Sequence, residues 1–278
     1  MAFPLHTKIL GQGFPMLCLH GHPGSSGSMG LFTQHFSQAG KVGPLRTIAP
    51  DLRGYGQSCY RRPFEMPDHI DDLVALLDQE NIDRTLVLGW SLGGIFAMEL
   101  ALRYPDRVSG LILIATAARP WGDHPPISWK DNLLTGVAGL LNFAKPGWGW
   151  NIDQFGKRSL FRYLIKQHTP EAYRFLAREA VDAYLKTSRQ ADRALTRAIR
   201  QGYNRVPDLP GITCPTLMLM AEHDRHINPA ASRETAKALP NCEWECYAET
   251  AHLLPWEIPR VLLDRMDDWL LQHPDALR

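Results

Sequence analysis

The string Gly89-Trp90-Ser91-Leu92-Gly93-Gly94 stands directly between a strand-like run, Thr85 to Trp90, and a helical pattern, Leu92 to Tyr104. That context gives a G-x-S-x-G string chemical meaning. Where a strand turns sharply into a helix, the serine backbone is strained, and glycines two positions either side remove Cβ atoms that would collide across the turn. The hydroxyl is then exposed at a helix N-terminus, where free N–H groups and the helix dipole favour developing negative charge. The spacing predicts Ser91 as a nucleophile; its bland alternative is an ordinary helix N-cap.

A serine hydroxyl attacks poorly until a base takes its proton and a carboxylate orients that base. Asp224 follows the run Thr216 to Ala221 (TLMLMA), and His252 follows the run Cys242 to Tyr247 (CEWECY). The order Ser91, Asp224, His252 is nucleophile, acid, base. Among eleven histidines, His252 is preferred for its place on the loop after the last strand-like run. His223 and His226 flank the acid and are expected as surface or hydrogen-bonding residues. Glu222 and Asp123 are the alternative acids. For a developing oxyanion, one donor is expected at the N–H of Leu92. The other is expected in Gly21-His22-Pro23-Gly24, where Pro23 has no N–H and His22 is the natural partner; a plain turn is the alternative there.

These residues must be brought together by the elements between them. In the first 116 residues, strand-like runs at Pro15 to His20, Arg46 to Ala49, Thr85 to Trp90 and Ser109 to Thr116 alternate with helical patterns at Asp68 to Asp78 and Leu92 to Tyr104. Such alternation predicts an α/β fold, a mostly parallel doubly wound sheet covered on both faces. From 117 to 211 strand-like runs vanish, and long helical patterns such as Pro170 to Lys186 and Arg189 to Gln201 replace them. The sheet pattern then returns, with a helix at Pro229 to Leu239 and a final helix at Glu257 to Gln272. The expected organisation is a core of 1–116 and 212–278 carrying a helical insertion at 117–211, placed to cover a site at the strand ends.

With 278 residues and 45% apolar composition the chain can bury a large core. A net charge of +1 gives no overall pull toward nucleic acid. Charge is nonetheless uneven: residues 117–211 carry +7 and the remainder −6. This fits either solvated helix faces or a cationic approach surface for an acidic partner. No run reaches the length needed to span a bilayer, and MAFPLHTKIL does not read as a signal peptide. Five cysteines without C-x-x-C spacing fit reduced thiols in a cytoplasm better than a disulfide framework or a zinc site.

Taken together, the motifs resemble those of the α/β-hydrolase superfamily, in its lidded serine esterase form. His20-Gly21-His22-Pro23-Gly24 resembles that family's oxyanion loop, Asp51-Leu52-Arg53-Gly54-Tyr55-Gly56-Gln57-Ser58 its D-x-R-G-x-G-x-S segment, and Gly89 to Gly94 its nucleophile elbow. Asp224 and His252 match the acid and base positions, and Glu257-Ile258-Pro259 the E-x-P that often follows the histidine. The resemblance implies that 117–211 is a lid inserted after the sixth family strand. It disfavours dehalogenase and epoxide hydrolase activity, because those relatives carry aspartate where Ser91 stands. It implies no metal or organic cofactor, since serine, histidine and two N–H groups suffice for acyl transfer.

The expected activity is therefore hydrolysis of a small-molecule carboxylic ester. Thioester or carbon–carbon bond hydrolysis, cofactor-free perhydrolysis, and a low-turnover ligand receptor remain open with the same triad. Trp90, His22, Trp148 and Trp150 are expected to contact substrate. Trp121, Trp129, Phe143, Phe155, Phe161 and Phe175 would either line an apolar pocket or form the insertion's own core. GWSLGG with a basic insertion is also similar to the pimeloyl-carrier-protein methyl ester esterases, which implies a substrate carried on an acidic carrier protein.

Overall fold

The computed structural model describes residues 2–38 and 40–278. Seven strands form one sheet: β1 (Thr7–Leu10), β2 (Pro15–Leu19), β3 (Arg46–Pro50), β4 (Thr85–Trp90), β5 (Val108–Ile114), β6 (Thr216–Ala221) and β7 (Cys242–Tyr247). Their order is β1-β3-β2-β4-β5-β6-β7. β1 runs antiparallel to β3, and every other pairing is parallel. The short run TKIL, half charged or polar and exposed at the sheet edge, carries no buried apolar signal and was not foreseen as a strand.

Side chains alternate across the sheet, as the two-residue period of a strand demands. Leu17, Val87, Leu111, Leu113, Met218 and Met220 enter one apolar core. Met16, Leu86, Leu88, Ile112, Ile114 and Leu217 enter the other. β4 and β5 are buried throughout, which is why they read as continuous apolar runs rather than as alternation.

Helices cover both faces. On the core these are α1 (Gly30–Gln38), α2 (Asp68–Gln79) and α3 (Leu92–Arg103). Between β5 and β6 come α4 (Trp129–Ala144), α5 (Gly149–Gln154), α6 (Phe161–Leu164), α7 (Pro170–Phe175), α8 (Val181–Leu185) and α9 (Arg189–Arg200). The core resumes with α10 (Pro229–Ala238), α11 (Leu254–Glu257) and α12 (Pro259–Gln272).

Two expected helices are divided. Pro170 to Lys186 stays helical but passes through a π-helical stretch, Leu176–Ala180, between α7 and α8. Glu257 to Gln272 is broken at Ile258, because Pro259 cannot donate to a preceding turn and starts a new helix instead.

The uneven charge has a structural outlet. Arg119, Arg197 and Arg205, all from the basic stretch, pair with Glu234, Glu65 and Glu99 of the core. Part of the excess is therefore spent in holding the helical stretch to the sheet domain. Among the described residues no helix is long and apolar enough to cross a membrane.

Candidate active site

Ser91 occupies the turn from β4 into α3 with φ 54° and ψ −116°, a conformation that costs energy in any residue bearing a Cβ. Three neighbours hold it there. Its N–H donates to the Ile114 carbonyl at 2.8 Å, and its own carbonyl accepts from Gly94 N–H at 2.9 Å and from the Thr116 hydroxyl at 2.8 Å. The flanking glycines are required by close approach: a Cβ on Gly89 would overlap the Gly93 backbone, and one on Gly93 would overlap the carbonyl of Leu19. Ser91 stands at the N-cap position of α3, yet its side chain makes no capping bond. The hydroxyl is engaged elsewhere.

It lies 3.1 Å from Nε2 of His252, while Nδ1 of His252 lies 2.8 Å from Oδ2 of Asp224. The other carboxylate oxygen of Asp224 accepts the N–H groups of His226 and Ile227, both at 2.8 Å. A carboxylate so bonded can only accept from the imidazole. Nδ1 therefore carries the proton, and Nε2 presents its lone pair to Ser91. All three residues are more than nine-tenths buried, so charge separated along this chain is screened far less than it would be in water.

The histidine loop is tied from several directions. Glu257 accepts from Ala251 N–H at 2.7 Å with Oε1, and from the N–H groups of Lys166 and Gln167 at 2.8 and 2.6 Å with Oε2. Burial pushes the Glu257 carboxyl up from its ordinary value, against these three bonds, which favour the ionised form. Leu253 N–H donates to Leu164, and Trp90 donates to the carbonyl of His252. The loop carrying Asp224 is likewise joined to the chain leaving β5: Asn228 N–H donates to Trp121, and Asp123 N–H donates to Arg225.

The two expected oxyanion donors come from segments next to Ser91 in the chain or in space. Leu92 is the first residue of α3, so its N–H has no acceptor within the helix. Gly21 packs so closely that an added Cβ would come within 3.2 Å of the Ser91 Cβ, which brings the following residue, His22, next to the nucleophile. The His22–Pro23 peptide is cis. The His22 ring turns to Tyr55, with Nδ1 2.9 Å from the phenolic oxygen, and Nε2 lies 3.8 Å from Asp192 of α9.

Neighbouring motif residues serve as braces. His20 is buried; its Nδ1–H donates to Gly21 and its Nε2 accepts from Leu52 N–H, and burial lowers its pKa to about 4. Asp51 accepts from Ser26 N–H at 2.6 Å and Gln57 N–H at 2.8 Å. Burial opposes ionisation of Asp51, yet these donors outweigh it and hold its carboxyl below the ordinary value. Arg53 grips Asp72 with two bonds.

The alternative acids do not reach the base. Glu222 is exposed and Asp123 faces Arg225. His223 pairs with Glu249, whereas His226 sets its ring edge-on to His252 at 4.6 Å. The expected substrate contacts divide. Trp90 is buried and sets its ring edge-on to Trp256. Trp148 and Trp150 stack on each other at the start of α5, and Phe155 adds an edge; no hydrogen bond or ring contact joins them to the triad among the described residues. Trp129 and Phe143, which could have lined a pocket, face solvent at 70% and 64% exposure. Trp121 is partly exposed, Phe161 packs edge-on to Tyr173, and Phe175 lies flat on Trp256. Thr116 and Trp256 were not foreseen from sequence; neither lies in a string that carries chemistry.

Comparison with known proteins agrees with this fold. The model of a family described as "Alpha/beta hydrolase family" matches residues 16–272. The chain is 35% identical over 144 residues to a pimeloyl-[acyl-carrier protein] methyl ester esterase of Vibrio campbellii, which is 51% of this chain and 52% of that one. With the protein of the same name from Vibrio atlanticus the identity is 25% over 272 residues, covering 91% and 92%. A 2-hydroxymuconate semialdehyde hydrolase of Pseudomonas putida is 27% identical, covering 89% and 83%. Among solved structures, a thermophilic esterase from Thermogutta terrifontis aligns with a TM-score of 0.69 at 24% identity, over 99% of this chain and 94% of that one.

Proposed function

Because the chain belongs to the alpha/beta hydrolase family, we propose that it is a serine hydrolase that cleaves a carboxylic ester through an acyl-enzyme. Ser91 attacks the ester carbonyl carbon while His252 takes its proton at Nε2, and Asp224 stabilises the imidazolium that results. The N–H groups of Leu92 and His22 receive the tetrahedral oxyanion. Collapse expels the alcohol, protonated by His252, and leaves the acyl group on Ser91. Water, deprotonated by the same imidazole, then releases the acid and restores the serine. Residues 117–211 act as a lid over this centre, and a cytoplasmic setting, read from the five cysteines, belongs to the same proposal.

The observation that carries this reading is the continuous hydrogen-bonded path Ser91–His252–Asp224 in a buried setting, with the serine hydroxyl withheld from capping α3. The test is labelling with a fluorophosphonate, followed by mass identification of the adduct. Modification at Ser91 and a fall in ester turnover on the order of 10⁴–10⁶ for Ser91→Ala are expected. Wild-type hydrolysis by Ser91→Ala overturns the mechanism. A panel of aryl esters, thioesters and β-diketones reports the bond; faster turnover of either of the latter two replaces ester hydrolysis as the reading.

A narrower reading takes the acyl group as borne by an acidic carrier protein. It is favoured by the names of the relatives above and by the +7 charge of residues 117–211. Affinity for such a carrier should fall steeply with added salt; salt-insensitive binding, or none, removes it.

A further inference from the structure

α4 is built inside out. Its fully buried positions are Asp131, Ala138 and Asn142, whereas Trp129, Leu133, Leu140 and Phe143 are each more than half exposed. Positions 129, 133, 140 and 143 advance by four, seven and three residues, with Gly136 in the gap, so these four large apolar side chains share a single helix face. The inward side mixes half-buried Leu134, Val137 and Leu141 with buried polar residues that are all bonded. Asp131 closes a capping box with Ser128 and pairs with Arg162 at 2.7 Å. Asn142 donates to the Tyr173 carbonyl and accepts from Gly147 N–H, and Asn151 donates to the Ala138 carbonyl. Solvation of an ordinary surface helix would place these faces the other way round.

The two ends of α4 are cationic. Lys130 and Lys145, at the two ends of α4, meet only the rings of Trp129 and Trp148 and have no acidic partner among the described residues. The helix's one acid, Asp131, is turned inward. Trp at one end of an apolar face and lysines at the helix ends are features that seat a helix in the interfacial plane of a bilayer. A protruding ridge enters a fluid interface without needing a matching groove. A second copy of the chain would instead bring its own lysines and a second +7 insertion against the first.

We propose that the outer face of α4 docks this protein on an anionic lipid surface, with Trp129, Leu133, Leu140 and Phe143 entering the headgroup–acyl boundary and Lys130 and Lys145 meeting lipid phosphates. Beneath α4 lies the π-helical stretch Leu176–Ala180, and Phe175 beside it stacks on Trp256 of the histidine loop. A docked ridge therefore holds the insertion's outer layer at the lipid boundary. The inference does not depend on which ester is cleaved.

The test is co-sedimentation of the full chain with vesicles of dioleoyl phosphatidylglycerol and, separately, of dioleoyl phosphatidylcholine. Partition onto the anionic vesicles should exceed that onto the zwitterionic ones by about tenfold or more and should fall with salt. The double variant Leu133→Asp with Leu140→Asp should lose at least about tenfold of this partition. Its circular dichroism and its hydrolysis of a soluble short-chain ester should stay at wild-type levels. Lys130→Glu with Lys145→Glu should abolish the preference for phosphatidylglycerol. Three results overturn the proposal: no partition of the wild type onto either vesicle, partition unchanged in the aspartate variant, or a wild-type dimer that the aspartate variant converts to monomer. Loss of binding to an acidic carrier protein in that variant, with no lipid binding in the wild type, assigns the ridge to a protein partner and overturns it as well.

Discussion

The indole N–H of Trp90 donates to the carbonyl oxygen of His252 across 3.4 Å. The residue immediately before Ser91 thus also braces the backbone of the residue that takes its proton. Trp90→Phe keeps a ring against Trp256 but leaves that buried carbonyl without a donor. A stability loss of about 1–2 kcal/mol is expected, with kcat reduced several-fold and KM little changed, as read by urea unfolding and steady-state kinetics. A change in KM alone would mean that the ring contacts substrate instead.

Two glycines should respond oppositely to the same substitution. Gly93→Ala drives a methyl group into the Leu19 carbonyl at the tightest point of the turn, and a loss of about 3 kcal/mol or more is expected. Gly136 is exposed in α4 with nothing near its missing Cβ. Gly136→Ala should therefore stabilise by about 0.5–1 kcal/mol. Thermal melts of the two variants decide the matter, and equal effects would contradict the packing described for the turn.

Glu257 links the histidine loop to the helical insertion through three N–H bonds. Glu257→Ala strands one buried donor, Ala251 N–H, and two part-buried ones, at a cost of about 2 kcal/mol. It should also slow fluorophosphonate labelling of Ser91 by loosening Ala251 and its neighbour His252. Glu257→Gln retains one acceptor oxygen and should recover part of both losses. Unaltered labelling in the alanine variant would make Glu257 a structural tie only.

Acid should weaken the fold through the buried histidine that precedes Gly21. The pKa of His20 is lowered to about 4, because burial disfavours the charged ring and Nε2 must stay bare to accept from Leu52. A histidine with a depressed folded-state pKa binds fewer protons folded than unfolded. Stability is therefore complete above the unfolded value near 6.5, falls as pH drops toward 4, and levels off below that. The loss from this group is about 3 kcal/mol at most. His20→Gln should show a shallower decline over this window in urea melts; an identical slope would remove His20 as a source.

The parallel sheet was legible because buried strands such as TLVLGW and SGLILIAT leave apolar runs that local sequence displays. Chemical types and spacing likewise pointed to Ser91, Asp224 and His252, which the fold brings within hydrogen-bonding distance, since a glycine-flanked serine and two polar loops after apolar runs are local patterns. The edge strand TKIL escaped notice because its identity comes from pairing with β3 rather than from burial. Nothing in the spacing of the aromatics of 117–211 distinguished a pocket wall from an outer ridge either.

Which side of α4 faces inward depends on what waits beneath it: Arg162 for Asp131, and the Tyr173 carbonyl for Asn142. The positions of Trp90, Thr116 and Glu257 around the triad are similarly contacts between segments far apart in the chain. A linear sequence specifies strand and helix periods, strained turns and the chemical groups available. Only the folded chain decides distances between remote groups, because those distances follow from packing all elements at once against two shared cores.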